Sequence, residues 1–445
     1  MAPRNRIIID TDPGVDDILS MLLAFSAKPE ELEVLLLSVT FGNVDVQSCL
    51  RNVVSLFIHI EKEQEWRRSV GKSEGFTTLK AHKPLVALGA EEPLADQMMM
   101  ADYFHGIDGL GGIHHSHPHL TPEDTWKDLF KSALKSPDPD EAAAAREMSG
   151  SHSSFTPSRL PAHEEMLRLL RENEPDTITI VAIGPLTNLA RAAATDTETF
   201  LRAKEVVVMG GAISVPGNMN PVAEFNTYAD SIASARVFAL TSPNPVSTMP
   251  PVPPGARGGV ESTAHAPFLG PYPEKLSQRL KLTLFPLDVT TPHQLIRGHF
   301  ESVAKPLLES GSPLAEWTIA FLSATFDKIE SLHTTRNSGA DVGLEMHDPL
   351  CIWYVLDPDS PHWKPTATSP EDIRVETSGQ WTRGMCVTDR RDRRRRVVAE
   401  GDLAEVPGDT GNWLNDFAGN RIVRMEGTPG VDVFGGVLLE RVFGA

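Results

Sequence analysis

The 445-residue chain has only three cysteines, Cys49, Cys351 and Cys386, too few and too scattered for a disulfide framework or a zinc knuckle. That scarcity fits a reducing compartment. No apolar run reaches the length of a membrane span. The start, Met1-Ala2-Pro3-Arg4-Asn5-Arg6, runs into three isoleucines and then Asp10, which leaves no signal-peptide core. The expected location is therefore cytoplasmic, with no membrane partner. Positive charge is also scarce. A net charge of −19 argues against nucleic acid or an anionic membrane as the main partner, since both need a basic surface. The one local exception is Arg390–Arg396, with Asp392 inside it, which reads as a charged surface strand or turn. With internal repeats and clear linkers also lacking, what remains is a soluble globular composition, 40% hydrophobic and 23% charged, in a chain long enough for a large core.

What the sequence does have is concentrated near its start. Arg6-Ile7-Ile8-Ile9-Asp10-Thr11-Asp12-Pro13-Gly14-Val15-Asp16-Asp17 opens on three β-branched residues that read as a buried strand. Four carboxylates then fall within eight positions, across a Pro-Gly break, before Ile18–Phe25 resumes as an apolar helix. Asp16 and Asp17 would favour the positive end of that helix in any case. A hydrophobic strand that delivers Asp10 and Asp12 to its own end is nonetheless poor placement for idle charge. Carboxyl ends of strands are where open α/β sheets bind ligands. Like charges so close repel unless water or a cation screens them, and hard carboxylate oxygens suit Ca²⁺ first and Mg²⁺ second.

Further along, Glu33–Thr40 and Pro84–Gly89 read as buried strands, separated by a helix through Cys49–Ile60 and a polar connector over 61–78. Thr177–Ile183, Glu205–Met209 and Leu282–Val289 add three more, each followed by helical or loop sequence. Strands alternating with helices predict an open, mainly parallel Rossmann-like sheet flanked by helices. The glycine-rich loop Phe104–Gly112 leads into His114, His115, His117 and His119, which lack helical metal-ligand spacing and read as an exposed polar loop. Two stretches, about 121–161 (acidic, Ala-, Ser- and Pro-rich) and about 242–273 (with Met249-Pro250-Pro251-Val252-Pro253-Pro254), read as insertions in a single domain spanning 1–445. The remainder, with Val375–Gly379 and Arg396–Gly401 as strand-like pieces, reads as an appendage to the same sheet. By themselves, Gly217-Asn218 with Glu224-Phe225-Asn226 read as a capped loop, and His347-Asp348 as a helix cap.

Taken together these pieces resemble the inosine/uridine-preferring nucleoside hydrolases. Asp10-Thr11-Asp12-Pro13-Gly14-Val15-Asp16-Asp17 is similar to that family's DxDPGxDD opening. Gly42-Asn43, Gly184-Pro185-Leu186-Thr187-Asn188, Met209-Gly210-Gly211, Glu224-Phe225-Asn226 and His347-Asp348-Pro349 follow in order. Residues 6–60 and roughly 177–356 carry the match, and the two insertions resemble those of fungal relatives. The resemblance implies a ribonucleoside N-glycosidase yielding free base and ribose. It implies a tightly held Ca²⁺ with Asp12, Asp17, Asp348 and the Ile183 carbonyl as ligands, Asp12 acting also as general base. Asp10 would support the cluster from behind. Asp16, Asn43, Asn218, Glu224 and Asn226 would contact the ribose, with Met209 lining the pocket. His347 would serve the leaving base, and His105 would be a second histidine in the substrate site. A homodimer or homotetramer is implied as well.

Three other readings compete. An aspartyl-phosphate phosphatase also opens on Asp-x-Asp at a strand end, but normally has Thr or Val where this chain has Gly14. A non-catalytic nucleoside- or sugar-binding protein on the same scaffold would be signalled by loss of Asp12 or a ligand, and all are present. A partner scaffold built on the insertions has no specific motif to support it.

Overall fold

The structure is a computed structural model and describes residues 3–94, 98–123, 127, 130, 154–250, 269–332, 338–398, 402 and 404–444. In chain order its strands are β1 (Asn5–Thr11), β2 (Leu32–Val39), β3 (Leu85–Leu88), β4 (Thr156–Pro157), β5 (Thr179–Ala182), β6 (Glu205–Met209) and β7 (Leu282–Phe285). They continue with β8 (Gln294–Ile296), β9 (Gly343–Glu345), β10 (Lys364–Pro365), β11 (Ile373–Val375), β12 (Cys386–Thr388) and β13 (Val423–Gly427). Nine of them form one sheet in the order β10-β13-β7-β6-β5-β1-β2-β3-β4, parallel throughout except for β10 against β13. The expected mainly parallel α/β sheet is what the chain forms.

The three isoleucines explain why β1 lies in the middle. Side chains alternate across a strand, so Ile7 and Ile9 enter one core and Ile8 the other, all three fully buried. On the first face they meet the helices Val15–Phe25, Val46–Ser69, Pro313–Leu332, His347–Leu356 and Val431–Phe443. On the second they meet Ala162–Glu172, Thr187–Thr195 and Ser231–Ala239. From β1 the chain builds outward through β2, β3 and β4, then returns to lay β5 on β1's other side. The order of strands therefore reverses between β1 and β5, and the carboxyl ends of strands at such a reversal are where open α/β sheets bind ligands.

Several boundaries differ from expectation. The polar connector begins later, because the second helix runs on to Ser69. Its charged end is anchored by a buried pair, Glu63 with Arg67 at 2.7 Å, and Glu63 also accepts from Ser312 Oγ at 2.6 Å. Pro286, which has no N–H to give a ladder, ends β7 early, and Leu287–Thr290 forms a helical turn instead. Residues 154–161 of the expected first insertion belong to the fold: Thr156 and Pro157 pair with Leu85 and Val86, and Phe155 stacks on Phe57 at 4.8 Å. Most of the rest of that stretch, and 251–268 of the second, lie outside the described residues. In the C-terminal part it is β13 that joins the main sheet, while β11 and β12 pair as a separate ribbon. Both edge strands, β4 and β10, are two residues long and end in proline. Among the described residues no helix is long and apolar enough to cross a membrane.

One buried group makes the core sensitive to acid. His59 stacks on Trp317 at 4.6 Å, its Nδ1–H donates to the Ser55 carbonyl at 2.8 Å, and its Nε2 is buried without a partner among the described residues. Burial pushes its pKa down to about 3. Because the folded value lies below the unfolded one, neutral His59 supports the fold above pH ~6.5 and loses that contribution as pH falls toward 3, by at most about 1.4 kcal/mol per pH unit. His59→Phe keeps an aromatic stack and cannot titrate. In urea unfolding between pH 7 and 4, the native protein is expected to lose more stability than this variant, with the gap widening as pH falls. Parallel losses in the two proteins would contradict the assignment.

Candidate active site

The site begins where β1 ends. Pro13-Gly14 breaks the strand, and the helix Val15–Phe25 starts with Asp16 and Asp17 in its first turn, next to the positive end of the helix dipole. Asp17 reaches back to cap that helix, accepting from Gly14 N at 3.0 Å. It also accepts from Thr11 Oγ1 at 2.6 Å, Asp12 N at 3.3 Å and Asn43 Nδ2 at 2.9 Å, so it is held by the turn it belongs to. Asp12 is fully buried, with Oδ2 accepting from Asn43 N at 2.7 Å and Oδ1 without a partner among the described residues. Behind it Asp10 accepts from Ser38 Oγ and from Asn188 Nδ2, the latter at 2.9 Å.

Asp348 arrives from far along the chain, at the start of the helix His347–Leu356, whose packing on Val15–Phe25 is among the most extensive in the molecule. Asp16, Asp17 and Asp348 each offer a carboxylate oxygen, all within 4.8 Å of one another. That spacing suits one cation. Burial raises the pKa of four acids here: Asp10 and Asp17 to about 7, Asp12 and Asp348 well above the carboxylate range. After burial, the charges of neighbouring aspartates are the main cause at Asp12, Asp17 and Asp348.

The opposite wall comes from the ends of β5 and β6. The Ile183 carbonyl, just past β5, accepts from Asn226 Nδ2 at 3.1 Å, and the same amide reaches Met209 Sδ at 3.5 Å at the end of β6. Glu224 is buried and caps the helix Phe225–Ala229, accepting from Asn226 N at 2.6 Å and Thr227 N at 3.0 Å, and also from Gly211 N at 2.9 Å. Asn218 is exposed on the loop, with its Oδ1 accepting from Phe225 N at 2.9 Å. Two glycines touch Asp12: a Cβ at Gly42 would lie 2.0 Å from its Oδ2, and one at Gly184 2.5 Å from its Oδ1.

Two histidines flank the acids. His105 is buried, and its Nδ1 accepts from Val15 N at 3.3 Å, which puts the ring proton on Nε2. Burial lowers its pKa, only partly offset by nearby Asp16. His347 bonds Thr290 Oγ1 through Nδ1 at 2.7 Å and Glu345 through Nε2 at 3.2 Å. Burial opposes its charge, but Glu345, Asp16 and Glu224 outweigh it and hold its pKa above the ordinary value.

Sequence reasoning named most of this set, and the fold brings together Asp10, Asp12, Asp16, Asp17, Asn43, His105 and Asp348, with Met209 and Ile183 at the neighbouring strand ends and Glu224 and Asn226 at the start of the helix Phe225–Ala229. The grouping differs in one respect. The carboxylates within cation-sharing distance include Asp16, expected at the ribose, and do not include Asp12, expected as a ligand. Glu345 and Thr290, which fix the ring of His347, were missed. Their only signal was proximity in sequence to His347-Asp348 and to Pro286. The His-rich tract is exposed at His115 and His119 as expected, but His114 is half-buried and bonds Asn52 Oδ1 at 2.9 Å.

A family model described as inosine-uridine preferring nucleoside hydrolase matches residues 7–408. The chain is 27% identical over 386 residues to an uncharacterised protein of Schizosaccharomyces pombe, covering 86% of this chain and 89% of that one. It is 28% identical over 383 residues to the pyrimidine-specific ribonucleoside hydrolase RihA of Klebsiella pneumoniae, covering 86% and 88% of the two. A solved plant nucleoside hydrolase shares the fold, with a TM-score of 0.63 at 20% identity and coverage of 100% of both chains. A match over nearly the whole length, on a sheet whose strand ends gather the acids of the Asp10–Asp17 turn with Asp348, makes this chain a member of the inosine-uridine preferring nucleoside hydrolase family, and an enzyme of that type.

Proposed function

We propose that this enzyme hydrolyses the N-glycosidic bond of ribonucleosides to free base and ribose, with Ca²⁺ as its metal and Asp12 as general base. The observation that carries the proposal is a fully buried carboxylate oxygen, Asp12 Oδ1, without a partner among the described residues and beside three carboxylates at cation-sharing distance. A buried acceptor in that position suits a cation or a proton to be taken. The donors are all hard oxygens, with no Cys or His among the three, which favours Ca²⁺ over a softer metal. Asp16, Asp17 and Asp348 would hold the ion, with Asp12 and the Ile183 carbonyl at its margin. When bound, Ca²⁺ would supply Lewis-acid polarisation of a water and of the ribose hydroxyls.

The chain's own residues do the rest. Asp12 accepts the proton of the attacking water, a step worth roughly 10²–10⁴-fold in rate. Asn43, Asn226, Asn218 and Glu224 offer amide and carboxylate groups to the ribose hydroxyls, and Met209 packs against the sugar. Asp16 and Glu224 favour the positive charge that develops on the ribose as the bond breaks. His347, whose two ring nitrogens are engaged by Thr290 and Glu345, gives a proton or hydrogen bond to the departing base by exchanging one of those partners for it. His105 Nε2–H is a second donor. Asp10, held by Ser38 and Asn188, supports the cluster from behind. The relatives named for pyrimidine nucleosides make uridine and cytidine natural first substrates.

Release of free base and reducing sugar from uridine, cytidine, inosine and adenosine, before and after metal stripping, tests the reaction. Cleavage lost on stripping and restored by Ca²⁺ is the expected result; full activity after stripping would remove the metal from the mechanism. Asp12→Ala should lower kcat by about 10³-fold or more with circular dichroism unchanged. Near-native turnover in that variant would unseat Asp12 as the base. Gly184→Ala forces a methyl to within 2.5 Å of Asp12 Oδ1. We expect a loss of about 10²-fold, since misplacement near 1 Å has effects of that size. A native-like kcat/KM there would show that Asp12 can move freely.

A further inference from the structure

Asn52 lies on the helix Val46–Ser69 and is fully buried, yet it packs polar groups rather than apolar ones. Its Nδ2 donates to two carbonyls from distant parts of the chain, Pro13 at 2.8 Å in the acidic turn and Asp108 at 2.9 Å in the glycine-rich loop. Its Oδ1 takes a hydrogen bond from His114 Nε2 at 2.9 Å. An amide oxygen only accepts, so His114 carries its proton on Nε2, and its Nδ1 pairs with Thr121 Oγ1 at 3.0 Å. Burial, reinforced by Arg51, pushes the pKa of His114 down to about 4, and the ring stays neutral in this arrangement.

The loop that Asn52 grips is itself firmly built. The Asp108 carboxylate accepts from the backbone N–H groups of Leu110 at 3.0 Å, Gly112 at 2.8 Å and His114 at 2.9 Å. Gly109 has a φ of 82°, and a Cβ there would lie 2.8 Å from Asn52 Nδ2 and 3.1 Å from the Pro13 carbonyl, so the close approach needs glycine. At its other end the loop meets the same turn through His105 Nδ1 and Val15 N. The loop is thus tied to the acidic turn at two points, and Asn52 makes one of them.

We propose that Asn52 is a positioning residue for nucleoside hydrolysis: it clamps the His105–His114 loop to the Asp12–Asp17 turn and acts on the reaction through His105. This rests on the function proposed above. A residue with a merely structural role would lower activity independently of His105, and the two losses would multiply.

The test combines a double-mutant cycle with hydrogen exchange. In the Ca²⁺-loaded enzyme, Asn52→Ala and His105→Ala should each lower kcat/KM by about 10- to 100-fold, and the double variant should lose little more than the worse single one. Hydrogen exchange across 106–114 should quicken in Asn52→Ala, with rates in β1, β5 and β6 unchanged. Multiplying losses, or unchanged exchange across 106–114, would overturn the proposal. Should Asn52→Ala not yield folded protein, His114→Ala breaks the same bridge from the loop side and carries the same expectations. If the native enzyme cleaves no ribonucleoside, the proposed reaction fails on its own account, while the exchange result still decides whether the clamp exists.

Discussion

Mutual repulsion among buried carboxylates sets the terms for this molecule. Two ionised carboxylates within 4.8 Å repel by about 3–4 kcal/mol at an effective dielectric near 20, and Asp16, Asp17 and Asp348 make three such pairs, with Asp12 adding to them. Much of the chain is laid out to hold that arrangement. β1 delivers Asp10 and Asp12 from the centre of the sheet, where neither can drift. The following helix offers its positive end to Asp16 and Asp17, and the backbone of the turn donates repeatedly to Asp17. The packing of His347–Leu356 on Val15–Phe25 then fixes where Asp348 can be.

Small residues serve this arrangement as much as acidic ones do. Gly42 and Gly184 are the inner surfaces against which Asp12 rests, and Gly109 lets the Asn52 clamp close. Around Asp12 the backbone stands where side chains would normally fill space, which leaves that carboxylate little room to rearrange. The histidines are fixed by the same logic, each with a ring nitrogen committed to a named partner.

The sheet and its central strand were legible because Ile7–Ile9 and the runs at 33–40, 177–183 and 205–209 are short, β-rich and sharply bounded. The acid cluster was legible because four carboxylates crowd one turn. Asp348 was not legible from local pattern, since His347-Asp348 at a helix start looks like any cap, and only the resemblance joined it to the turn. Nothing local marks Asn52 either: an Asn on a buried helical face gives no hint of which distant carbonyls it meets. The limits of β4 were hidden by flanking low-complexity sequence, and those of β13 by weak alternation in Val-Arg-Met-Glu-Gly.

The two edge strands bear on whether another strand can extend the sheet. An open, mainly parallel sheet of nine strands can present rows of unpaired backbone donors and acceptors at its margins, a template for another chain to extend. Here each margin is a two-residue strand ending in proline, Pro157 on one side and Pro365 on the other, and a proline has no N–H to offer an incoming strand. Among the described residues, neither margin offers an incoming strand a full set of backbone donors, which disfavours growth by strand addition, the route to runaway aggregation.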